Sequence, residues 1–252
     1  MRNLSNRTQA GNSCKLSLAF VKSFRLLHSG CHEEIESLYY GKRNGIVFAH
    51  DRRKTGFILI TFSIIMFSPF IMNLVGIKNP IFQNLGFSRD TFAPFYSWIL
   101  SLILSMSYIF YTFRKIPFVL KMQREISFLK FVGIFSAFAS GLLEEVIFRR
   151  WFMDFTMNLG YGAVIQIVLS GIIFGLAHSM WFLFKREIRF AISAMLSTSM
   201  LGFGLAIIYV ISGRNIGPCI VAHVLINLVI EPWLMLSSVS GEWKKLDTTN
   251  TR

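Results

Sequence analysis

The chain has 252 residues, 53% of them hydrophobic and only 15% charged, with 26 Phe and a mean hydropathy of +0.53. A water-soluble domain of this length carries charge on about a quarter of its residues, so the composition excludes an ordinary soluble globule. The net charge of +13 does not point to nucleic acid, because the positive residues flank apolar segments, where they orient helices in a bilayer.

Residues 1–56 read as a basic, polar, cytosolic arm, with ten Lys and Arg against Glu33, Glu34, Glu36 and Asp51. Its Ser- and Arg-rich start resembles a transit peptide. It equally resembles a basic arm with a short surface helix over Leu16–His28. No long apolar run precedes a small-residue cleavage site, which speaks against a cleaved secretory signal. Cys14, Cys31 and Cys219 show neither metal-type spacing nor a disulfide framework. Cys31 and His32, with His28 nearby, could bind a metal, but the plain reading is that they do not.

Six hydrophobic segments follow: Gly56–Ile77, Phe92–Phe113, Ser127–Phe148, Tyr161–Phe184, Phe190–Ser212 and Ile216–Leu236. Each is near the roughly 20 residues that cross about 30 Å of hydrocarbon. Arg52, Arg53 and Lys54 precede the first segment. Arg114, Lys115, Lys121, Arg124 and Lys130 lie between the second and third. Lys185, Arg186 and Arg189 follow the fourth, and Lys244, Lys245 and Arg252 end the chain. The alternate loops hold only Lys78 and Arg89, then Arg149 and Arg150, then Arg214. This bias predicts both termini on the cytoplasmic side. The expected fold class is all-α, a transmembrane bundle of about six to eight helices with an intramembrane polar site. Its domains are the arm, a membrane domain over residues 57–237, and a short cytosolic tail over 238–252.

Glu144 and Glu145 interrupt the third segment, with Arg149 four residues after the second. A charge at mid-membrane costs roughly 2.5–3.5 kcal/mol on insertion scales, so such residues face polar interiors. Residues four apart share a helix face, whereas neighbours point about 100° apart. Glu145 and Arg149 are therefore expected to pair, and Glu144 to point elsewhere, into a cavity, where it could serve as a general base. Asn158 to Gly162 reads as a helix break and reversal. Glu144 lies 16 residues before Gly160 and His178 lies 18 after it. Two antiparallel helices from that turn would bring both to similar depth, roughly 25 Å away. Phe174, one turn before His178, would wall its ring. His223 and Asn227 share a face of the last segment and can both donate hydrogen bonds. The small residues Gly133, Ala137, Ser140 and Gly141, and Gly171 and Gly175 opposite, would let helices approach closely around the motif. Glu231, beside Pro232, is expected at the membrane interface, and Asp154 at a surface or interface. One feature resists this arrangement. Measured from the Arg214–Pro218 loop, His223 is only roughly 10–13 Å deep, so either the third-to-fourth hairpin protrudes or residues 213–218 dip inward.

Together, Glu144-Glu145-x-x-x-Arg149, Phe174-x-x-x-His178 and His223-x-x-x-Asn227 resemble the ordered motifs of the CPBP intramembrane proteases, the family of the CAAX prenyl proteases and the bacteriocin-processing (Abi) proteins. The resemblance covers about residues 125–236. It implies a peptidase in which Glu144 and His178 polarise water while His223 and Asn227 stabilise the oxyanion, with Glu145, Arg149 and Phe174 orienting. The family is usually called metalloprotease, and a metal-free glutamate mechanism has also been proposed. Glu144, His178 and His223 could supply three zinc ligands, but the asparagine suits oxyanion binding better, and the reading leans to metal-free. The implied partners are membrane lipids and a peptide or lipidated protein substrate, in an integral membrane setting for which a bacterial plasma membrane is favoured by analogy. Two other functions share the pattern: a non-catalytic scaffold or bacteriocin self-immunity protein of the same fold, and a proton or metal transporter.

Overall fold

The computed structural model describes residues 48–72, 75, 94–179 and 188–242, without the side chains of 189 and 190. Leu16–His28, Cys14, Cys31, His28, His32 and the charges at 78, 89, 185, 186, 244, 245 and 252 lie outside the described residues. Every regular element among those described is helical. In chain order they are α1 (Phe48–Met72), α2 (Phe95–Lys115), α3 (Pro117–Met122), α4 (Phe128–Glu145), a π-helical stretch (Val146–Met153), α5 (Asp154–Asn158), α6 (Ala163–His178), α7 (Ile188–Ile211) and α8 (Gly217–Ser240). Five helical runs are long and apolar enough to cross a bilayer: Phe48–Met72, Phe95–Lys115, Phe128–Asn158, Ala191–Ile211 and Gly217–Ser240. The fourth expected segment differs, since its described helix, Ala163–His178, is only 16 residues long. The first run also begins earlier than expected, at Phe48.

Large apolar side chains face outward, and polar side chains are concentrated in stripes between helices. On α2 the buried positions are Ser97, Ser101, Ser105, Ile109 and Thr112, a stripe at spacings of three and four. Its opposite face exposes Phe95 (79%), Met106 (66%) and Phe110 (61%). The buried serines hold α2 to α8: Ser101 Oγ donates to the Pro218 carbonyl at 2.8 Å and Ser105 Oγ to that of Ala222 at 3.2 Å. Small hydroxylated residues let backbones approach and tie helices together where lipid supplies no hydrophobic drive.

Two close helix pairs form the centre. On α6, a Cβ added at Gly171 would stand 2.2 Å from the Phe203 ring of α7, and one at Gly175 only 1.8 Å from Ser199 Oγ. These glycines therefore serve the close α6–α7 contact behind His178. On α4, a Cβ at Gly133 would meet the Pro232 ring of α8 at 2.8 Å, and one at Gly141 would meet Val224 at 2.7 Å. The two antiparallel helices α4 and α8 thus touch along a glycine row. Pro232 lies inside α8 rather than ending it; such prolines are tolerated in membrane helices, and here the ring fits the notch left by Gly133.

The helix from Phe128 continues through the π-helical stretch to Asn158. The chain then reverses at Gly160, whose φ of +88° is one that side chains rarely tolerate. A 31-residue run is about 46 Å long, well beyond the hydrocarbon thickness, so this hairpin reaches past the membrane core or tilts within it.

Candidate active site

The polar row of the site runs beside the glycine row on the α4–α8 contact. Ser136 Oγ donates to Glu231 Oε1 at 2.8 Å, Asn227 Nδ2 donates to Ser140 Oγ at 3.0 Å, and His223 Nε2 lies 3.9 Å from Glu144 Oε2. Each step of four residues up α4 matches a step of four back along α8. The close approach at Gly133 and Gly141 is what lets these short side chains meet.

His178 completes the centre from the end of α6. Its Nε2 is 3.6 Å from the same Glu144 Oε2, and its Nδ1 is 2.8 Å from the Phe174 carbonyl oxygen. A carbonyl only accepts, so Nδ1 carries the proton and the neutral ring presents a lone pair at Nε2. His223 is held the same way: its Nδ1 donates to Glu145 Oε1 at 2.8 Å, leaving Nε2 toward Glu144. Two imidazoles and one carboxylate thus converge. Glu144 Oε2 is buried and receives no hydrogen bond from the described residues.

Glu145 and Arg149 pair as their spacing predicts, Nε to Oε2 at 3.1 Å, both side chains fully buried. Arg149 also donates to Ser170 Oγ at 2.9 Å and lies 5.0 Å over the Phe174 ring. A buried charge without its partner is strongly destabilising, and this pair sits where the helix widens into its π-helical turn, a device often found at functional sites. Phe174 does more than wall one ring. It stacks on His178 (4.6 Å between centroids), meets His223 edge-on (5.6 Å) and packs on Phe148 (5.1 Å).

The depth mismatch disappears once Asp154 is located. Arg214 pairs with Asp154 and with Gln166 Oε1, so the α7–α8 loop is level with Asp154, not with the hairpin tip. His223 lies nine residues beyond Arg214 and Glu144 ten before Asp154, each about 14–15 Å along its helix. Asp154 also accepts from Arg150 at 2.9 Å and from the Tyr209 hydroxyl at 3.0 Å. Asp154, expected at a surface or interface, is the part-buried hub of a charged knot. To form it the loop adopts left-handed backbone at Gly213 (φ 68°) and at Arg214 itself (φ 66°).

Sequence reasoning missed Ser136, and it read Ser140 only as a small residue. The signal was their spacing of four ahead of Glu144. Glu231, expected at the interface, instead lies two turns from His223 on the same row, in the interior of α8.

Glu144, His178 and His223 have the donor chemistry of a metal site with an open position. A tetrahedral ion with bonds of about 2.0–2.1 Å sets its ligand atoms roughly 3.3 Å apart. The distances of 3.6 and 3.9 Å are wider, and among the described residues no group of three or more His, Cys, Asp or Glu is spaced to hold a metal ion. As placed, the three residues do not close on a metal. Separations of 3.6 and 3.9 Å can be bridged by one water with hydrogen bonds of about 2.8 Å.

No curated protein and no solved structure matches the chain. Residues 126–229 match the family model described as Type II CAAX prenyl endopeptidase Rce1-like, an interval that holds all three motifs from Glu144 to Asn227. Over these residues, then, this integral membrane protein carries the pattern of the CAAX-protease (CPBP) family that its motifs resemble.

Proposed function

We propose that the protein is an intramembrane endopeptidase that hydrolyses peptide bonds in membrane-anchored or lipidated peptides. A single observation carries the reading: an otherwise unbonded, buried oxygen of Glu144 faces the Nε2 atoms of both His178 and His223. Such an oxygen is suited to take the proton of a water.

The chemistry follows from the hydrogen bonds. A water between Glu144 and His178 gives up a proton as its oxygen attacks the scissile carbonyl carbon. The carbonyl electron pair moves onto oxygen, and the tetrahedral oxyanion forms. Asn227 stabilises it in this reading, which the bond from Asn227 Nδ2 to Ser140 Oγ supports by engaging one amide hydrogen and leaving the other to donate. His223 can add a bond from Nε2 once both ring nitrogens carry protons. The C–N bond then breaks and the abstracted proton passes to the leaving amine. A positioned base contributes about 10²–10⁴-fold and an oxyanion donor about 2.7–4 kcal/mol. His178 and Asn227 are both partly exposed, so the site opens to substrate on that side.

The test is cleavage of a farnesylated CAAX-type reporter and a panel of membrane peptides by purified protein in detergent. Glu144→Ala and His178→Ala are compared with wild type, each with and without a strong chelator. The reading expects cleavage abolished by both substitutions and indifferent to chelator. Cleavage that survives Glu144→Ala contradicts it, and cleavage lost on chelation replaces the activated water with a metal-bound one.

A further inference from the structure

Glu231 is the one carboxyl on the α4–α8 row that the proposed reaction does not use. It is the fifteenth residue of the 24-residue helix α8, near its midpoint, and an ionisable group within a membrane helix is costly unless it faces a partner, a cavity or a ligand. Ser136 donates to one of its oxygens at 2.8 Å, while Oε2 is shielded and has no hydrogen-bond donor among the described residues. Glu231 lies one turn from Asn227 and two from His223 along α8, on the same polar row. It falls two residues beyond the interval matched to the protease family. A buried acceptor without a donor costs about 1–3 kcal/mol or more, a cost that a donor from a bound ligand relieves. The residue is partly exposed while Oε2 itself is shielded, so a group that enters beside α8 meets an acceptor already held in place by Ser136 through its other oxygen.

Resting on the endopeptidase reading, we infer that Glu231 is a substrate subsite, accepting a hydrogen bond from a donor side chain of the bound peptide. Eight residues of α8 separate it from His223, about 12 Å. An extended peptide rises about 3.3–3.4 Å per residue, so the donor sits about three to four residues from the scissile bond. The site discriminates a hydroxyl or amide side chain at that place from an apolar one of equal size. Ser136 acts with Glu231 by fixing the other oxygen, and the pair works as a ruler beside the reacting centre.

Binding rather than turnover tests this, so that it can be separated from the protease reading. Apolar membrane peptides carrying one threonine, walked along the sequence, are bound to the Glu144→Ala protein in detergent, with valine controls. The inference expects about a tenfold gain for threonine over valine at one position only. That gain is lost in Glu144→Ala/Glu231→Leu and largely kept in Glu144→Ala/Glu231→Gln, whose amide oxygen still accepts. No position-dependent gain, or one that survives Glu231→Leu, overturns it. A position-dependent gain in a protein whose wild type cleaves none of these peptides leaves the subsite standing and counts against the endopeptidase reading alone. Where wild type does cleave, the favoured threonine lies about three to four residues from the cut; a cut elsewhere overturns the ruler.

Discussion

Two charged clusters lie along the same helices about three turns apart, and they are built on opposite plans. In the knot near the chain reversals, Asp154 takes Arg150, Arg214 and Tyr209, and Arg214 reaches on to Gln166. There each charge meets its opposite. At the centre, Glu145 and Arg149 also neutralise each other. Beside them, however, Glu144 keeps an unbonded oxygen, and both histidines commit Nδ1 to an acceptor so that Nε2 faces it. Saturation suits the knot to a structural part, and the proposed chemistry rests on the free Glu144 oxygen that both histidines face. Sequence composition does not separate these plans, since Asp154 and Glu144 are both acidic residues of one apolar helical run.

The sharpest way to break the comparison is to substitute within the centre. Glu144→Gln keeps the shape and removes the base. Peptide cleavage should fall about 10²–10⁴-fold with little change in the thermal midpoint. A mutant that unfolds instead would make Glu144 as structural as Asp154. Glu145→Gln is expected to do the reverse first, leaving Arg149 buried and uncompensated at a cost of about 3–5 kcal/mol, read as loss of folded protein in detergent. Arg149→Met with Glu145→Gln should recover much of that stability, because replacing both partners removes the orphaned charge.

A smaller effect is expected at the knot. Arg214→Ala leaves Asp154 with Arg150 and Tyr209, so denaturant or thermal unfolding should report a loss of about 1–3 kcal/mol, while activity per folded molecule stays near that of wild type. The smallest effect belongs to the ion pair of Arg52 and Glu125, which joins α1 to the segment before α4. Hydrogen bonding to the Arg52 guanidinium holds the Glu125 carboxyl below its usual range. Its contribution is therefore present at neutral pH, above the unfolded-state value, and lost as pH falls through the lowered one. Both side chains are substantially exposed, so Glu125→Gln should cost about 0.2–1 kcal/mol at pH 7 and nothing in strong acid.

Much of the centre was legible because it rests on local geometry. The spacing of Glu145 and Arg149 names a pair, and the glycines at 160 and 162 name a reversal that brings His178 back to Glu144. What escaped depended on register between helices. Nothing in the order of residues says that Ser140 meets Asn227 or that Ser136 meets Glu231, because that match is set by how Gly133 and Gly141 seat against Pro232 and Val224. Glu231 was misplaced for a related reason: the adjacent Pro232 reads as the end of a helix, and only its fit against Gly133 shows it within one. The depth of His223 was likewise unreadable until Asp154 and Arg214 were seen to share a level.

The most direct test of the central claim is a double-mutant cycle on Glu144 and His178, read as kcat/KM for one cleaved peptide. Groups that activate the same water act as a unit, so removing either removes the function of both. The account predicts that Glu144→Ala/His178→Ala is no slower than the worse single mutant, within about a factor of three. Losses that multiply, with each substitution costing as much in the presence of the other as alone, would contradict a shared water between Glu144 and His178.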